Sequence, residues 1–256
     1  MSFTKFDKNS LYSHDESIIK NKFPKNESEL VEYFKQKEPL LMTNLSAFLP
    51  LIDFSSGVAK DYSGNSNDGV IFGASIQGEG LKKSTRFNID DYINCGNDSS
   101  LTPIQPMVIS FWLKVDVNRI GDGVFEGIIS KYSNDFDFTL HSTTNKIRSS
   151  FRGVVTLDDG NWIGNAINDG IWHHYFIHAT NTGYEMYQDK NMFKSKTGTW
   201  TMGATHSSSF KIGARSLDKL NDSNMKFVRL YNNLTTDPIE LRDKIYNIEK
   251  PFFSIS

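Results

Sequence analysis

The run Ile171-Trp172-His173-His174-Tyr175-Phe176-Ile177, followed closely by Tyr184-Glu185-Met186-Tyr187-Gln188-Asp189, constrains this chain more than any other feature. Aromatic and β-branched residues fill both runs, Gly170 ends a polar turn before the first, and Asn181-Thr182-Gly183 supplies turn chemistry between them. Two antiparallel strands joined as a hairpin are expected. Short apolar runs bounded by turns recur from Leu49 onward: Gly69 to Phe72, Val108 to Val115, Gly127 to Lys131, Phe136 to Leu140, Ile147 to Phe151, Phe210 to Ile212 and Lys226 to Tyr231. That spacing predicts a sandwich and not alternating helices and strands. In Ile109-Ser110-Phe111-Trp112-Leu113-Lys114-Val115 the odd positions are apolar and face the expected core, with Trp112 on the opposite side.

Two segments read as helices. Asn26 caps the first, with Glu29 three residues on, Leu30 and Phe34 on one face and Pro39 as the stop. It lies within residues 1–45, rich in Lys, Glu, Asn and Ser, which read as an arm before the sandwich of residues 46–256. The arm either folds back on the domain or docks onto a partner or sister subunit. Near the C-terminus Asp237, Pro238 and Glu240 make a helix start, and Leu241, Ile245 and Ile248 form an apolar stripe.

Composition narrows the function. At 38% hydrophobic and 13% aromatic, 256 residues bury one sizeable core. A formal charge of -2 provides no global attraction to nucleic acid or to an anionic membrane, and no run is long enough to span one. Met1 to Lys8 lack the apolar core of a secretion signal, and the single Cys95 excludes an intrachain disulfide. Folding in a reducing cytosol is the expectation. The Asn-x-Ser/Thr triplets at Asn26, Asn44, Asn97, Asn221 and Asn233 are read as chance products of an Asn- and Ser-rich chain.

Several phrases then fall in one order. Asp61-Tyr62-Ser63-Gly64-Asn65-Ser66-Asn67-Asp68-Gly69 resembles the "D-x-S-G-N-x-N-D-G" turn of laminin G-like, concanavalin A-like jelly rolls. Phe87 to Ile93 before Gly96-Asn97-Asp98, Val108 to Lys114 ("sFTISFWVK"), Ile128 to Lys131 ("ILSK") and Gly170 to Phe176 ("G-x-WHHV") continue it. So do Phe210 to Gly213 and Phe227 to Thr235 ("vRIYNRALS"). Tyr187-Gln188-Asp189 is similar to "Y-x-DG", with Lys190 in place of the glycine. The resemblance covers roughly residues 49 to 250. It implies an all-β, two-sheet antiparallel jelly-roll sandwich with a closing helix, in a superfamily of lectins, adhesion modules, carbohydrate-binding modules and some glycosidases, among which fold alone does not choose.

The paired-carboxylate strand Glu-x-Asp-x-x-Glu of the glycosidase branch is missing; Asp135 and Asp137 come nearest, with solvated or turn-capping carboxylates as the plainer reading. Nucleophile-elbow, zinc-protease and phosphate-loop motifs are missing too. Cys95 with His173 or His174 is a formal thiol pair, against which stands inert packing. Trp172 and His174 share a strand face and His173 takes the other, so one histidine is expected buried and hydrogen-bonded and the other near solvent.

Calcium is the cofactor the resemblance implies. Asp61, Asn65, Asn67 and Asp68 form one oxygen set and Asp90, Asp91, Asn97 and Asp98 a second, the alternative being that these residues only form turns. Sugar binding needs exposed rings with amides and carboxylates around them. Trp162 in a polar loop and Trp200 in a polar strand are the ligand candidates, followed by Tyr132 and Arg152, each with packing as its alternative.

A non-catalytic binding or adhesion module is therefore expected. Its setting is a bacteriophage virion protein (tail, fibre or head decoration) assembled in the host cytoplasm. Residues 1–45 would contact other virion proteins, and the sandwich would engage a host-surface glycan, in a chain that also has the makings of a homo-oligomer. A purely structural virion role is the companion reading. A polysaccharide hydrolase or lyase with a divergent site is the alternative.

Overall fold

The computed structural model describes residues 24–119, 125–131, 135–151, 157–158, 165–200 and 207–254. Two antiparallel sheets carry the fold. The first runs β14 (Asn191–Thr197), β13 (Gly183–Gln188), β12 (His173–Thr180), β7 (Met107–Val115), β18 (Ser223–Tyr231), β5 (Ser84–Phe87) and β4 (Ser75–Gln77), with β1 (Leu45–Leu49) also paired to β18. The second runs β11 (Leu157–Asp158), β10 (Ile147–Phe151), β9 (Phe136–His141), β8 (Phe125–Lys131), β15 (Lys211–Ile212), β6 (Tyr92–Asn94), β3 (Gly69–Phe72) and β2 (Val58–Ala59). A small ribbon of β16 (Ala214–Arg215) and β17 (Asp218–Lys219) lies against β8.

The predicted hairpin is β12 with β13, registered from Tyr175 opposite Gln188 to Thr180 opposite Gly183. The next turn is the one where Lys190 stands in place of the family's glycine. Asp189 and Lys190 both take positive φ, 48° and 72°, and Gln188 faces Asn191 across them, the geometry of a two-residue hairpin loop. Lysine thus adopts a conformation that glycine reaches at lower cost.

Between the sheets, Ile109, Phe111, Leu113 and Val115 of β7 interleave with Ile129, Phe136, Phe138 and Leu140 of the second sheet. Of the alternate residues of β7, only Lys114 is part-exposed. Val108 and Trp112 join Phe176, Phe227 and Tyr231 in a second apolar cluster under the helices. The centre of the first sheet is therefore buried on both faces, and its central strands β7 and β18 are almost wholly buried.

The covering helices are α1 (Glu27–Lys37), α2 (Pro238–Glu249) and α3 (Pro251–Ser254). Asn26 caps α1 by accepting from the Glu29 N–H at 2.9 Å, while the Glu29 carboxylate accepts from the Lys25 N–H, one residue before the position a regular capping box uses. Leu30, Val31 and Phe34 are fully buried, and the Phe34 ring lies 5.7 Å from Phe227 and 5.8 Å from Phe252. The segment 24–45 is thus folded back as part of the second core, which favours the first of the two readings of the arm; residues 1–23 lie outside the described residues. Asp237 caps α2 as expected, and Leu241 and Ile245 pack inward. At the end of α2 the buried Glu249 accepts from Trp112 Nε1 at 2.7 Å and pairs with Arg229, whose guanidinium lies 3.9 Å from the Phe48 ring centre.

Candidate functional site

The β12–β13 hairpin and the loop before it build a cleft between the edges of the two sheets. Its volume is about 320 Å³, at the lower end of small-molecule sites. Ile147 comes from the second sheet, Tyr175, Gln188 and Phe193 from the first, and Asn165, Ala166, Ile167 and Asp169 from the loop. That loop is pinned by backbone bonds, Ile167 N–H to Asn145 O at 2.9 Å and Gly170 N–H to Val115 O at 3.0 Å, and by Asn168 Nδ2 donating to Val117 O. Tyr175 is 1% exposed, stacks on Phe111 at 5.4 Å, and its hydroxyl has no hydrogen-bond partner among the described residues.

One cleft residue, Asp169, is tied to the hairpin through a histidine. His173 Nε2 lies 2.9 Å from Asp169 Oδ2, and its Nδ1 bonds Asp189, whose other oxygen accepts the His174 N–H at 3.0 Å. The bond to Asp189 pushes the His173 pKa up to about 9, burial opposing and Asp169 adding to the rise. Burial would raise the Asp189 carboxyl, but the bonds from His173 and from the His174 N–H hold it below its ordinary value. The rim at neutral pH is one imidazolium between two carboxylates, a net negative edge. His174, next in sequence, is the buried partner expected: it is 0% exposed, bonds Ser110 Oγ at 2.8 Å, and burial pushes its pKa down to about 3.

The ligand candidates fare differently. Trp200 does not offer its ring to solvent: it is 1% exposed, packed 4.8 Å from Phe151, with its backbone N–H donating to Asn181 O, so its polar neighbours hid a core residue. Trp162, Tyr132 and Arg152 lie outside the described residues. Asp135 and Asp137 do not stand free as a pair, because Asp137 accepts from Arg215 Nε at 2.6 Å and Asp135 lies 3.9 Å from Lys131 Nζ. Cys95 is buried, which pushes its thiol pKa up, and both histidines proposed as its partner are engaged elsewhere.

The first calcium set does not fit a cation. Asp61 is 4% exposed and its two oxygens already accept from the N–H groups of Phe48, Ser63 and Asn67 and from Ser63 Oγ, at 2.7 to 2.9 Å. Asn65 and Asn67 turn their amide nitrogens to the Ser46 carbonyl, and Asp68 pairs with Lys60 at 2.7 Å. In the second set Asp91 accepts from the Asn88 N–H and Asp98 caps a short turn through the Ser100 N–H. Asp61, Asp91 and Asp98 work as turn locks, Asn97 accepts from Lys131 Nζ, and among the described residues no group of three acidic, histidine or cysteine side chains converges.

The cleft's rim went unread in the sequence. Asp169 and Asp189 were not singled out, although their signal was present: Asp169 precedes His173 by four residues, and the hairpin register that sets Tyr175 opposite Gln188 brings Asp189 beside the start of β12.

Solved structures share this architecture at low identity. The chain is similar to the binding domain of Paraclostridial Mosquitocidal Protein 1 at 18% identity and a TM-score of 0.60, over 81% of this chain and 52% of that one. It is also similar to domain 4 of AbnA, a GH43 extracellular arabinanase from Geobacillus stearothermophilus solved with arabinotriose, at 16% identity and a TM-score of 0.59, over 78% of this chain and 97% of that one. A mutant Trypanosoma rangeli sialidase displaying trans-sialidase activity aligns at 14% identity and a TM-score of 0.60, over 89% of this chain and 39% of that one. The chain thus spans about half the length of the toxin binding domain and most of the arabinanase domain. No curated protein matches it significantly. No helix among the described residues is long and apolar enough to cross a membrane. The family model described as the concanavalin A-like lectin/glucanases superfamily matches residues 87–238, more than half of the 256, and the chain belongs to that family.

Proposed function

We propose that this protein is a non-catalytic carbohydrate-binding module that holds a neutral sugar in the cleft between the sheet edges. The observation that carries this reading is the cleft's lining, which gathers the Asp169 carboxylate, the Asn165 and Gln188 amides and the Phe193 ring around Tyr175, whose buried hydroxyl has no partner among the described residues. A buried hydroxyl left unpaired costs about 1–3 kcal/mol, which is recovered when the cleft wall parts enough for a sugar hydroxyl to reach it. Amides and carboxylates suit sugar hydroxyls, and the face of an aromatic ring suits the C–H side of a pyranose or furanose. The negative rim of Asp169, His173 and Asp189 disfavours acidic ligands in this cleft.

Within the same proposal the module acts by attachment to a host-surface glycan, as part of a bacteriophage particle. A fold whose one cysteine is buried and unpaired is compatible with assembly in a reducing host cytoplasm.

A glycan array probed with the full chain tests the reading. Binding of at least one neutral oligosaccharide is expected, weakened about tenfold by Tyr175→Phe and by Gln188→Ala with the melting temperature retained. Absence of any neutral ligand, or binding indifferent to both substitutions, would refute it. Release of reducing ends from bound polysaccharide, abolished by Asp135→Asn or Asp137→Asn, would replace it with the hydrolase alternative.

A further inference from the structure

A second surface lies on the outer face of the second sheet, four strands along from the cleft's Ile147. Phe72 of β3 stands opposite Tyr92 of β6, and their rings stack at 4.4 Å with planes 6° apart. Phe72 is 41% exposed and its neighbour Val70 54% exposed. Exposed stacked rings on a sheet face are apolar surface without a partner in the fold. Two ammonium groups stand over the same tyrosine ring, Lys211 Nζ at 5.5 Å and Lys219 Nζ at 5.1 Å from its centre.

Neither lysine has an ion-pair partner among the described residues. The carboxylate next to Lys219 in sequence, Asp218, is taken by Arg215 at 3.3 Å. Lys211 also lines a pocket of about 180 Å³ with Ser130, Ser208, Ser209 and Ser216, in which no carboxylate appears. The hydroxyls of Ser208, Ser209 and Ser216 make no hydrogen bond among the described residues, so three O–H donors and an ammonium surround one small polar space. Lys131 Nζ donates to the Ser208 carbonyl at 2.8 Å and so fixes the backbone that carries Ser208 and Ser209, while its own charge is matched by Asp135 at 3.9 Å. Burial lowers the Lys211 pKa and the charge of Lys219 lowers it further, so an anion at this position relieves a repulsion built into the fold.

We propose that this surface is a second saccharide subsite, separate from the cleft, that takes an acidic sugar: its carboxylate or sulfate enters the serine-lined pocket against Lys211, and its ring rests on Phe72. The charge chooses the substituent. The Phe72–Tyr92 stack chooses a ring-bearing ligand over a bare anion, because the lysine that closes the pocket and the ring platform touch the same tyrosine. The subsite does not depend on the cleft being a neutral-sugar site.

Isothermal titration of the full chain at low ionic strength tests this with four probes: a sulfated heparin-derived tetrasaccharide, tetragalacturonate, neutral maltotetraose and inorganic sulfate. At least one acidic tetrasaccharide is expected to bind more tightly than maltotetraose and inorganic sulfate. Its affinity should fall about tenfold in Lys211→Ala and several-fold in Phe72→Ala and Lys219→Ala, and should weaken steeply with added salt. Tyr175→Phe, which removes the hydroxyl offered in the cleft, should leave it unchanged, so the two sites fail separately. Dissociation constants weaker than about 1 mM for both acidic probes would overturn the proposal. So would equal affinity for inorganic sulfate, indifference to Phe72→Ala, or a loss in Tyr175→Phe as large as in Lys211→Ala. Phe72, Lys211 and Lys219 reach the surface, and an unchanged melting temperature in each variant ties any loss to binding.

Discussion

Replacing His173 with glutamine isolates the charge that ties the cleft loop to the hairpin. With its pKa at about 9 in the fold against the ordinary 6.5, His173 holds its proton more tightly folded than unfolded. Its stabilisation is complete below pH 6.5 and is lost as pH climbs through about 9. The full shift corresponds to about 3 kcal/mol. His173 is only 16% exposed, but its partners are 44% (Asp169) and 29% (Asp189) exposed, so solvent screening reduces the expected contribution to about 1.5 kcal/mol. The lowered Asp189 carboxyl is the other side of the same interaction and adds nothing further. Urea unfolding of wild type and His173→Gln, measured from about pH 6 to pH 10, should give a difference of about 1.5 kcal/mol at the acid end that shrinks through pH 9. The buried Lys226, its pKa pushed down to about 7, drives stability in the opposite direction over this range, and the comparison cancels it because both proteins carry it. A difference independent of pH would refute the ionic account and leave only packing.

Three further outcomes are expected. Burial raises the Glu27 carboxyl to about 7, so its folded state gains protons between pH 4.5 and 7 and loses stability as pH rises; Glu27→Gln should flatten that slope and be the more stable protein above pH 7 by about 1–2 kcal/mol in denaturant titrations. Lys190→Gly should raise stability by about 1 kcal/mol by relieving the positive φ of the β13–β14 turn, with an unchanged or lower melting temperature counting against the turn argument. Asp61→Ala should cost about 3 kcal/mol, since it strands the buried Phe48 N–H and three other donors, and millimolar calcium should leave the wild-type melting temperature unmoved; a rise reversed by chelator would show that the loop opens to take the ion.

Most of the scaffold was legible because its signals are local. Alternation marked β7, the Asn181-Thr182-Gly183 turn marked the hairpin, and Asp237 with Pro238 marked the start of α2. What escaped depends on distant partners. Trp200 sits in a polar stretch and looked exposed, but backbone bonds from Gly198 to Thr182 O and from Trp200 to Asn181 O carry its ring between the sheets to Phe151. The short strands β2, β4 and β5 and the edge strand β14, with its exposed and half-buried polar residues, lack an apolar rhythm of their own and are defined by the neighbours they pair with. The cleft also assembles residues from strands far apart in sequence, Ile147 and Phe193 among them.

Because the first sheet separates two oil-like layers, sliding β7 or β18 by a single position would exchange one greasy side chain for another, and hydrophobicity would barely object. The alignment is enforced by the few heteroatoms on the helix-facing side: Ser110 meeting His174, Arg229 and Trp112 converging on Glu249. A misaligned chain would thrust a guanidinium and a hydroxyl into the dry space between the sheets, where nothing waits to receive them. Those polar contacts serve as the keyway of the sandwich, and designers who smooth them into leucines should expect a protein that no longer knows which of two neighbouring pairings to choose.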